Sequence, residues 1–302
     1  PEDQALALQY FESALAIDSL YARAHLGIAG VHAARTTGPT SVAEAGPLWE
    51  AHPARAAELD PNLPAVHFEE ASKLVWLDWD FYAGEAAYRR ALELDPNDPE
   101  GRVFYGHVLM ILGRWEEAVE QGELAMQLDP LNPFVVGLHG TILGSVGQVD
   151  EAIALLQDLF EKNPSVGFAV TPLAATLQAA GRYDEALLWW QRYHRSVGEA
   201  EVAEALDRGL ERGGFTAAWR DAAEVLVAQA GERYVEGIQI ATFYAAAGEA
   251  EEAIDWIEFA VRQRETSVTY LGVIPGFWHL HDNPRFRAIT QRIGVPLRRP
   301  EG

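Results

Sequence analysis

The chain of 302 residues carries a formal net charge of −22, and 49% of its residues are hydrophobic. An acidic surface repels phosphate backbones, so we expect no nucleic-acid binding, and the hydrophobic content excludes a disordered chain. The absence of Cys excludes disulfides, thiolate catalysis and Cys-ligated zinc. No signal peptide is visible, and the uncharged stretches 130–149 and 163–181 contain internal Pro or several Gly. We therefore predict a cytoplasmic location without membrane contact.

The first segment, 3–18, has apolar residues at helical spacing, among them Leu8 and Phe11. It matches the second helix of the helical pairs that follow, and its partner first helix is missing. We therefore expect residues 1–21 to be a truncated repeat of a longer protein. Exposed Leu6, Leu8 or Phe11 would then permit homo-oligomerisation.

The next helical pair is predicted over 22–61, with its first helix beginning near Ala22. An inserted loop is expected from Thr36 to Pro47, because Gly-Pro pairs at both of its ends are turn signals. The second helix is predicted over 48–59, where Asp60-Pro61 stops it.

The clearest pattern runs from Asp98 to Pro164, where two halves coincide at an offset of 34 residues. Equivalent positions carry matching residues: Gly106 and Gly140, Leu109 and Leu143, Gly113 and Gly147, Ala118 and Ala152, Pro130 and Pro164. The same register predicts regular pairs over 62–96, 97–130, 131–164 and 165–195, a divergent pair over 196–231 joined at Gly213-Gly214, and a further pair over 232–264.

A period of 34 residues, with a small residue in the first helix and Ala in the second, resembles the tetratricopeptide repeat. The resemblance implies an all-α fold, in which tandem helix hairpins wind into a right-handed superhelix with a concave groove. Residues 265–302 break the period. We expect them to form a C-terminal cap over the last repeat, with a final helix that begins at Asn283-Pro284.

The chain also resembles the tetratricopeptide arrays that follow the effector domains of bacterial adenylate cyclases, winged-helix transcriptional regulators and Ser/Thr kinases. The matching residues are Trp79-Asp80, Ala86, Tyr88–Asp95, Asn283–Phe286 and Ile293–Pro296. This resemblance implies a regulatory segment of a larger bacterial signalling or transcription-regulating protein. An effector domain of the same polypeptide is then one expected partner.

In tetratricopeptide proteins, five positions of each first helix line the groove. Transferred to this sequence, these positions give the candidate partner-binding residues Trp76, Val103, His107, Met110, Ile111, Phe134, Thr141, Phe168, Thr171 and Gln178. The groove positions contain one Lys, Lys73, and no Arg or Asn, so we predict no carboxylate clamp. An apolar groove of this kind suits an amphipathic helix, an apolar peptide or another part of the same protein. For Trp76, packing between repeats is the competing interpretation.

No motif in the sequence is strong evidence for catalysis or metal binding. Adjacent acids such as Glu69-Glu70 and Glu116-Glu117 do not face one another on a helix, and 95–100 lacks the Gly and the terminal Glu of a calcium loop. The run His279–Asp282 could supply three metal ligands, but no remote partner is identifiable and a packed loop explains it better. There is no nucleophile elbow, phosphate loop or HExxH helix. We predict no enzyme activity, metal or cofactor.

The sequence therefore favours a non-catalytic scaffold that binds a protein or peptide partner in the groove. The alternative is a small-molecule sensor in which an apolar metabolite lies near Phe134, Thr141 and Phe168.

Overall fold

The computed structural model describes residues 2–37, 40–163 and 169–299, and these residues form helices and turns without a β-strand. The helices, in chain order, are α1 (Glu2–Ile17), α2 (Ala22–Arg35), α3 (Val42–Leu59), α4 (Pro64–Lys73), α5 (Phe81–Leu94), α6 (Pro99–Ile111), α7 (Trp115–Leu128), α8 (Pro133–Ser145), α9 (Val149–Lys162), α10 (Val170–Ala179), α11 (Tyr183–Ser196), α12 (Ala200–Ala230), α13 (Gly237–Ala246), α14 (Ala250–Gln263) and α15 (Pro284–Ile293). Shorter turns within these ranges include a π-helical turn, Leu74–Asp78, and the 3-10 turns Thr266–Tyr270 and Pro275–Leu280.

Consecutive helices pair as hairpins, which confirms the predicted all-α superhelix. Pro occupies the first position of α6 and α8, and the preceding Asp98 and Asn132 cap these helices by accepting backbone hydrogen bonds. Within the α6–α7 hairpin the helices approach closely, because a methyl group on Gly106 would lie 3.0 Å from the backbone oxygen of Ala118. The small residues of the period are therefore the points of helix contact.

The insertion in the second pair differs from its prediction. Helix α3 begins at Val42, so the second half of the predicted loop from Thr36 to Pro47 belongs to a longer second helix. Pro47 and Pro53 lie inside this helix, where each removes one backbone hydrogen bond. Gly38-Pro39, the other turn signal, lies outside the described residues.

The third pair, 62–96, is one residue longer than the regular period, and the π-helical turn after α4 contains this extra residue. Trp79 follows the turn and occupies the position of Gly113 in the next repeat. Like Gly113, it adopts a left-handed conformation, with φ of 62°. A bulky residue is strained there, so Trp79 must be held by its contacts.

The divergent pair is a tight hairpin. Helix α12 changes direction at Gly213 and Gly214, as the sequence predicts, since Gly214 has a φ of 75° and an extended ψ. A methyl group on Gly209 would lie 2.5 Å from the Cα atom of Ala218, so the two halves of α12 are in direct backbone contact.

The C-terminal residues do more than cap the last repeat. Helix α15 buries Phe286, Ile289 and Ile293 as expected. Residues 265–280, which we call the inner segment, instead turn back against the first helices of the repeats and contact α10, α13 and the π-helical turn. Side chains from α2–α8 and α13–α15 therefore share one hydrophobic core.

At the other end, α1 packs on α2 through Phe11, whose ring lies over Gly27. Leu6 is exposed, whereas Leu8 and Phe11 are half-buried. Across the described ranges, no helix combines the length and the apolar character that a bilayer span requires.

Candidate functional site

The inner segment packs against α10, α13 and the π-helical turn that follows α4, all of which belong to the first helices of their pairs. Tyr270 lies at the middle of this contact. The indole nitrogen of Trp76 donates to the Tyr270 hydroxyl over 3.1 Å, and this hydroxyl lies 3.1 Å from Nδ1 of His107. The ring of Tyr270 also meets that of His107 edge to face, with centroids 5.7 Å apart.

The protonation of His107 follows from its second contact. Its Nε2 atom lies 3.0 Å from the backbone oxygen of Leu138, which can only accept, so Nε2 carries the proton. Burial lowers the pKa of His107 to about 4, which keeps the ring neutral. Nδ1 therefore accepts from the Tyr270 hydroxyl. A continuous chain of hydrogen bonds results, in which each buried donor has an acceptor.

Arg264 fixes the start of the inner segment to the early repeats. Its guanidinium group stacks on the ring of Trp79, 4.3 Å from the centroid, and donates to the backbone oxygen of Leu77. Within the described ranges, Trp79 and Arg264 are the non-glycine residues with positive φ. The two strained residues thus hold one another through a cation–π contact.

Glu265 holds the start of the inner segment against the last repeat. Its carboxylate accepts from the backbone nitrogens of Gly237 and Ile238 over 2.6 and 3.2 Å, at the start of α13. These nitrogens have no partner inside the helix, so Glu265 caps α13 from a distant position in the chain. Thr266 adds a contact to the backbone oxygen of Thr36, 3.5 Å away.

The inner segment and its neighbours bury most of the predicted groove residues of the early repeats. Trp76, Val103, His107, Met110 and Ile111 are all less than 9% exposed. Farther along, Phe134, Thr141 and Gln178 are half-buried, Thr171 is exposed, and Phe168 lies outside the described residues.

A row of aromatic rings crosses three successive first helices. Phe68 of α4 contacts Phe104 of α6 edge to face, with centroids 5.4 Å apart, and Phe104 contacts Phe134 of α8 at 5.5 Å. We call these three residues the aromatic ladder. All three are half-buried, and Phe104 also packs against Trp76 and His107. The ladder therefore lies beside the two residues that hold Tyr270 of the inner segment.

Sequence reasoning found Phe134 and missed Phe68, Phe104 and Tyr270. Phe68 and Phe104 do not occupy the groove positions of the family, and Tyr270 lies outside the period. Aromatic residues in consecutive first helices were the available signal for the ladder.

Several carboxyl groups are buried away from the ladder. Glu69 of α4 accepts from the indole nitrogen of Trp49 over 3.0 Å, and burial raises its pKa to about 7. Desolvation, together with the charge of Glu265, raises the pKa of Glu236 to about 8. Neither arrangement has the geometry of an acid–base pair on an accessible surface.

The run His279–Asp282, which the sequence favours as a packed loop, does not form a set of metal ligands. Desolvation lowers the pKa of His281 to about 4, and Asp282 pairs with Arg287 over 2.8 Å. Across residues 2–37, 40–163 and 169–299, no three His, Asp or Glu side chains are placed to hold a metal ion.

A shallow cleft of about 320 Å³ lies between α7, α8 and α9, away from the predicted groove residues. Met126, His139, Leu143 and Leu155 contribute to its lining. Desolvation lowers the pKa of His139 to about 4, and its Nδ1 atom has no hydrogen-bond partner among the described residues.

No family model matches the chain, and no curated protein matches it in sequence. Among solved structures, yeast Tom70 is 17% identical, with a TM-score of 0.50; the match covers 96% of this chain and 62% of Tom70. YrrB, described as a TPR protein with an unusual peptide-binding site, is 20% identical over 72% of this chain and 95% of its own, with a TM-score of 0.40. Pseudomonas aeruginosa pilF is 14% identical over 90% of this chain and 97% of its own, with a TM-score of 0.45. The hairpins, their period and the likeness to Tom70 agree on a tetratricopeptide superhelix.

Proposed function

We propose that this chain is a non-catalytic scaffold that binds a protein or peptide partner along the concave side of its superhelix. The observation that carries the proposal is the aromatic ladder, Phe68, Phe104 and Phe134. A continuous row of half-buried rings on the helices that face the groove offers apolar area and rigid anchors, which protein interfaces favour.

The partner is proposed to bind beside the inner segment and not in its place. Val268, Leu271, Val273, Phe277 and Leu280 are at most 1% exposed. Exposing five such side chains would cost on the order of 10 kcal/mol, since each contributes about 1.5–3 kcal/mol. A competitor would lose about tenfold in affinity for every 1.4 kcal/mol of that cost. Binding at the ladder avoids it.

Of the predicted groove residues, Phe134, Thr141, Thr171 and Gln178 are then the ones best placed for partner contact, because they are not fully buried. Trp76, Val103, His107, Met110 and Ile111 are buried, and Trp76 and His107 hold Tyr270 of the inner segment. The absence of Arg and Asn at the groove positions agrees with a partner that is not recognised through a C-terminal carboxylate.

The resemblance to arrays of bacterial cyclases, regulators and kinases supports a finer proposal. The chain would be a regulatory segment of a larger cytoplasmic signalling or transcription-regulating protein, and its partner would be the effector domain of the same polypeptide or a separate protein. Interaction between the purified chain and that effector domain, measured by titration calorimetry, would test this context.

The scaffold proposal is tested by site-specific crosslinking of the intact chain in its source cells, followed by identification of the crosslinked partner. We expect Phe104→Ala to abolish the crosslink. The matched control is Tyr82→Ala on α5, because Tyr82 is 76% exposed and lies outside the ladder. An unchanged crosslink in the Phe104→Ala variant would contradict a partner site at the ladder.

A small-molecule sensor is the second candidate. The cleft beside His139 favours it, because its volume of about 320 Å³ is within the usual range of ligand sites and Nδ1 of His139 is buried without a partner. A metabolite that raises the unfolding temperature of the intact chain, but not that of His139→Phe, would support this function.

A further inference from the structure

Helices α2 and α3 are joined by two histidine side chains. Nδ1 of His25 on α2 lies 2.9 Å from Nδ1 of His52 on α3, and the ring centroids are 5.2 Å apart. A hydrogen bond between two ring nitrogens needs one proton, because one nitrogen must donate and the other must accept. The contact therefore exists only while the two facing nitrogens share a single proton.

The second nitrogen of His25 assigns the donor of this bond. Nε2 of His25 is buried and has no hydrogen-bond partner among the described residues. A proton on Nε2 would be a buried donor without an acceptor, so we assign the proton of His25 to Nδ1, and Nδ1 of His52 accepts. A further proton has no good place in the pair. On His25 it would go to Nε2, where no group accepts it, and on His52 it would go to Nδ1 and break the bond.

A third histidine and two charged side chains surround the pair. His32 follows His25 by two helical turns on α2, is 7% exposed, and has a buried Nδ1 atom without a partner within the described ranges. Desolvation lowers the pKa of His52, and the charges of His25 and His32 lower it further, while Glu12 of α1 acts in the opposite direction. Desolvation and Arg35 likewise lower the pKa of His32. The cluster therefore disfavours added protons.

The pair lies between two separate hydrophobic groups. Leu26 and Ala56 belong to a small cluster of buried side chains, whereas Ala29 and Trp49 belong to the main core. Along α3, His52 falls between Trp49 and Ala56. A polar contact thus bridges the point at which the apolar packing between α2 and α3 is divided.

Helix α3 is also weakened at this point. Pro53 follows His52 directly and lies inside the helix. It has no backbone N–H, so the carbonyl of Trp49 lacks the donor that a residue four positions later normally supplies. Separation of α3 from α2 beside the histidine pair therefore has one fewer backbone hydrogen bond to overcome.

We propose that His25 and His52 form a pH-sensitive joint between α2 and α3. At neutral pH the shared proton holds the two helices together. In acid both rings become charged, lose their hydrogen bond and repel one another, so that α2 separates from α3. Helix α1 packs on α2 through Phe11 and moves with it. The joint acts on the first helices of the superhelix and goes beyond the proposed scaffold function.

The direction of the effect follows from the lowered pKa values. A histidine released from the folded chain titrates near 6.5, whereas His32 and His52 take up protons at lower pH while the joint is closed. The contribution of the cluster to stability is therefore complete above about pH 6.5 and is lost as pH falls below it. For each histidine that stays neutral in the closed state, opening becomes about tenfold more favourable at pH 5.5.

Glu69 of α4 has the opposite pH dependence. It meets α3 at Trp49, and its raised pKa strengthens the fold as pH falls. Each histidine variant is therefore compared with the parent chain at the same pH, so that the contribution of Glu69, which both share, cancels.

The test is hydrogen exchange of the intact chain, followed by mass spectrometry at pH 7.5 and pH 5.5 and corrected for the intrinsic pH dependence of exchange. We expect the protection of α2 and α3 to fall about tenfold at the lower pH. Helix α12 contains no histidine and is the internal control, whose protection should not fall.

A double variant locates the effect. His25→Gln with His52→Gln keeps polar side chains but removes both titrating rings, so α2 and α3 should lose most of their pH response. The matched control, His279→Gln, changes an exposed histidine of the inner segment and should keep that response. Circular dichroism at neutral pH establishes that each variant is folded.

A second measurement needs no variant. Nitrogen NMR of the histidine rings in the parent chain identifies the protonated nitrogen of each ring. At neutral pH we expect the proton of His25 on Nδ1 and that of His52 on Nε2, and we expect His52 to titrate below 6.5.

Three results would overturn the proposal. Helices α2 and α3 could lose no more protection in acid than α12 does. The double variant could keep the pH response of the parent chain. His25 and His52 could both carry their proton on Nε2 at neutral pH, in which case the facing nitrogens would share no proton.

Discussion

Replacing Tyr270 by Phe would remove one oxygen atom that joins two buried side chains. Trp76 would lose the acceptor of its indole N–H, and Nδ1 of His107 would lose its donor. A buried group left unsatisfied costs about 1–3 kcal/mol, so we expect the free energy of unfolding to fall by about 2–4 kcal/mol. The aromatic ring itself stays, so no cavity contributes to the loss.

The loss is measured by chemical denaturation followed by tryptophan fluorescence. The matched control is Tyr82→Phe, because this hydroxyl belongs to a residue that is 76% exposed; it should change the free energy by less than about 0.5 kcal/mol. A double-mutant cycle with Trp76→Phe should show a coupling energy of about 0.5–3 kcal/mol, because both changes remove the same hydrogen bond.

Equal stability losses in the two Tyr variants would refute the reasoning. Such a result would mean that water or a local shift satisfies Trp76 and His107 without the Tyr270 hydroxyl. An additive double-mutant cycle would likewise show that Trp76 and Tyr270 are not energetically linked.

Three further predictions concern single residues. Burial raises the pKa of Glu69 from 4.5 to about 7, so the folded chain binds this proton more tightly than the unfolded chain does. The free energy of unfolding should therefore fall by about 3 kcal/mol as pH rises through that range. Glu69→Gln should abolish this loss, which urea titrations at several pH values would measure. Glu265→Ala should lower the free energy of unfolding by about 1–3 kcal/mol in the same assay, because the first backbone nitrogens of α13 lose their acceptor. The matched control is Glu232→Ala, which changes an exposed residue and should leave the free energy of unfolding unchanged. Gly181→Ala should lower the free energy of unfolding by about 1–2 kcal/mol, because Gly181 has a φ of 73° and no neighbouring atom would meet the new Cβ, so the backbone conformation alone causes the loss. Gly181→Asn should lower it less, because Asn tolerates the left-handed conformation better than Ala.

Each of these predictions has a result that contradicts it. A Glu69→Gln variant that keeps the pH dependence of the parent chain would show that another carboxyl group causes it. If Glu265→Ala and Glu232→Ala behave alike, the cap on α13 is not energetically important. Equal costs for Ala and Asn at Gly181 would mean that backbone conformation is not the cause.

The repeat hairpins could be predicted because their determinants are local. Gly106 and Ala118 recur after one period as Gly140 and Ala152, and a close approach between first and second helix recurs with them, since a methyl group on Gly140 would lie 2.6 Å from the side chain of Leu156. The extra residue of the third pair was detectable as a change in length. Its location in a π-helical turn was not, because a helix can widen at any of several positions without changing its end points.

The filled groove could not be predicted from the period. Trp76 and Tyr270 are 194 residues apart, and Tyr270 belongs to no repeat. The family positions selected Trp76 and His107 as groove residues, but whether they contact a partner or the chain itself depends on the path of residues 265–280. That path is set by contacts at distant points, of which Arg264 on Trp79 is one.

The aromatic ladder could not be predicted from the aligned repeats for a different reason. Phe68, Phe104 and Phe134 occupy different positions in their repeats, so no alignment of the period brings them together. Their contact arises because successive first helices are displaced and rotated by the superhelix. A row of side chains across the helices can therefore combine residues that never align in sequence.

The return of the inner segment to the early repeats also changes how the chain must fold. A tandem array ordinarily folds from any local nucleus and spreads to its neighbours, so its ends can fray independently. Here Thr266 contacts Thr36 across 230 residues, and Tyr270 meets His107 across 163. Closing such long loops is slow, so the concave side reaches its final form only after the last repeat is available. We expect unfolding of the first and last repeats to be cooperative, as in a globular domain and unlike an open array.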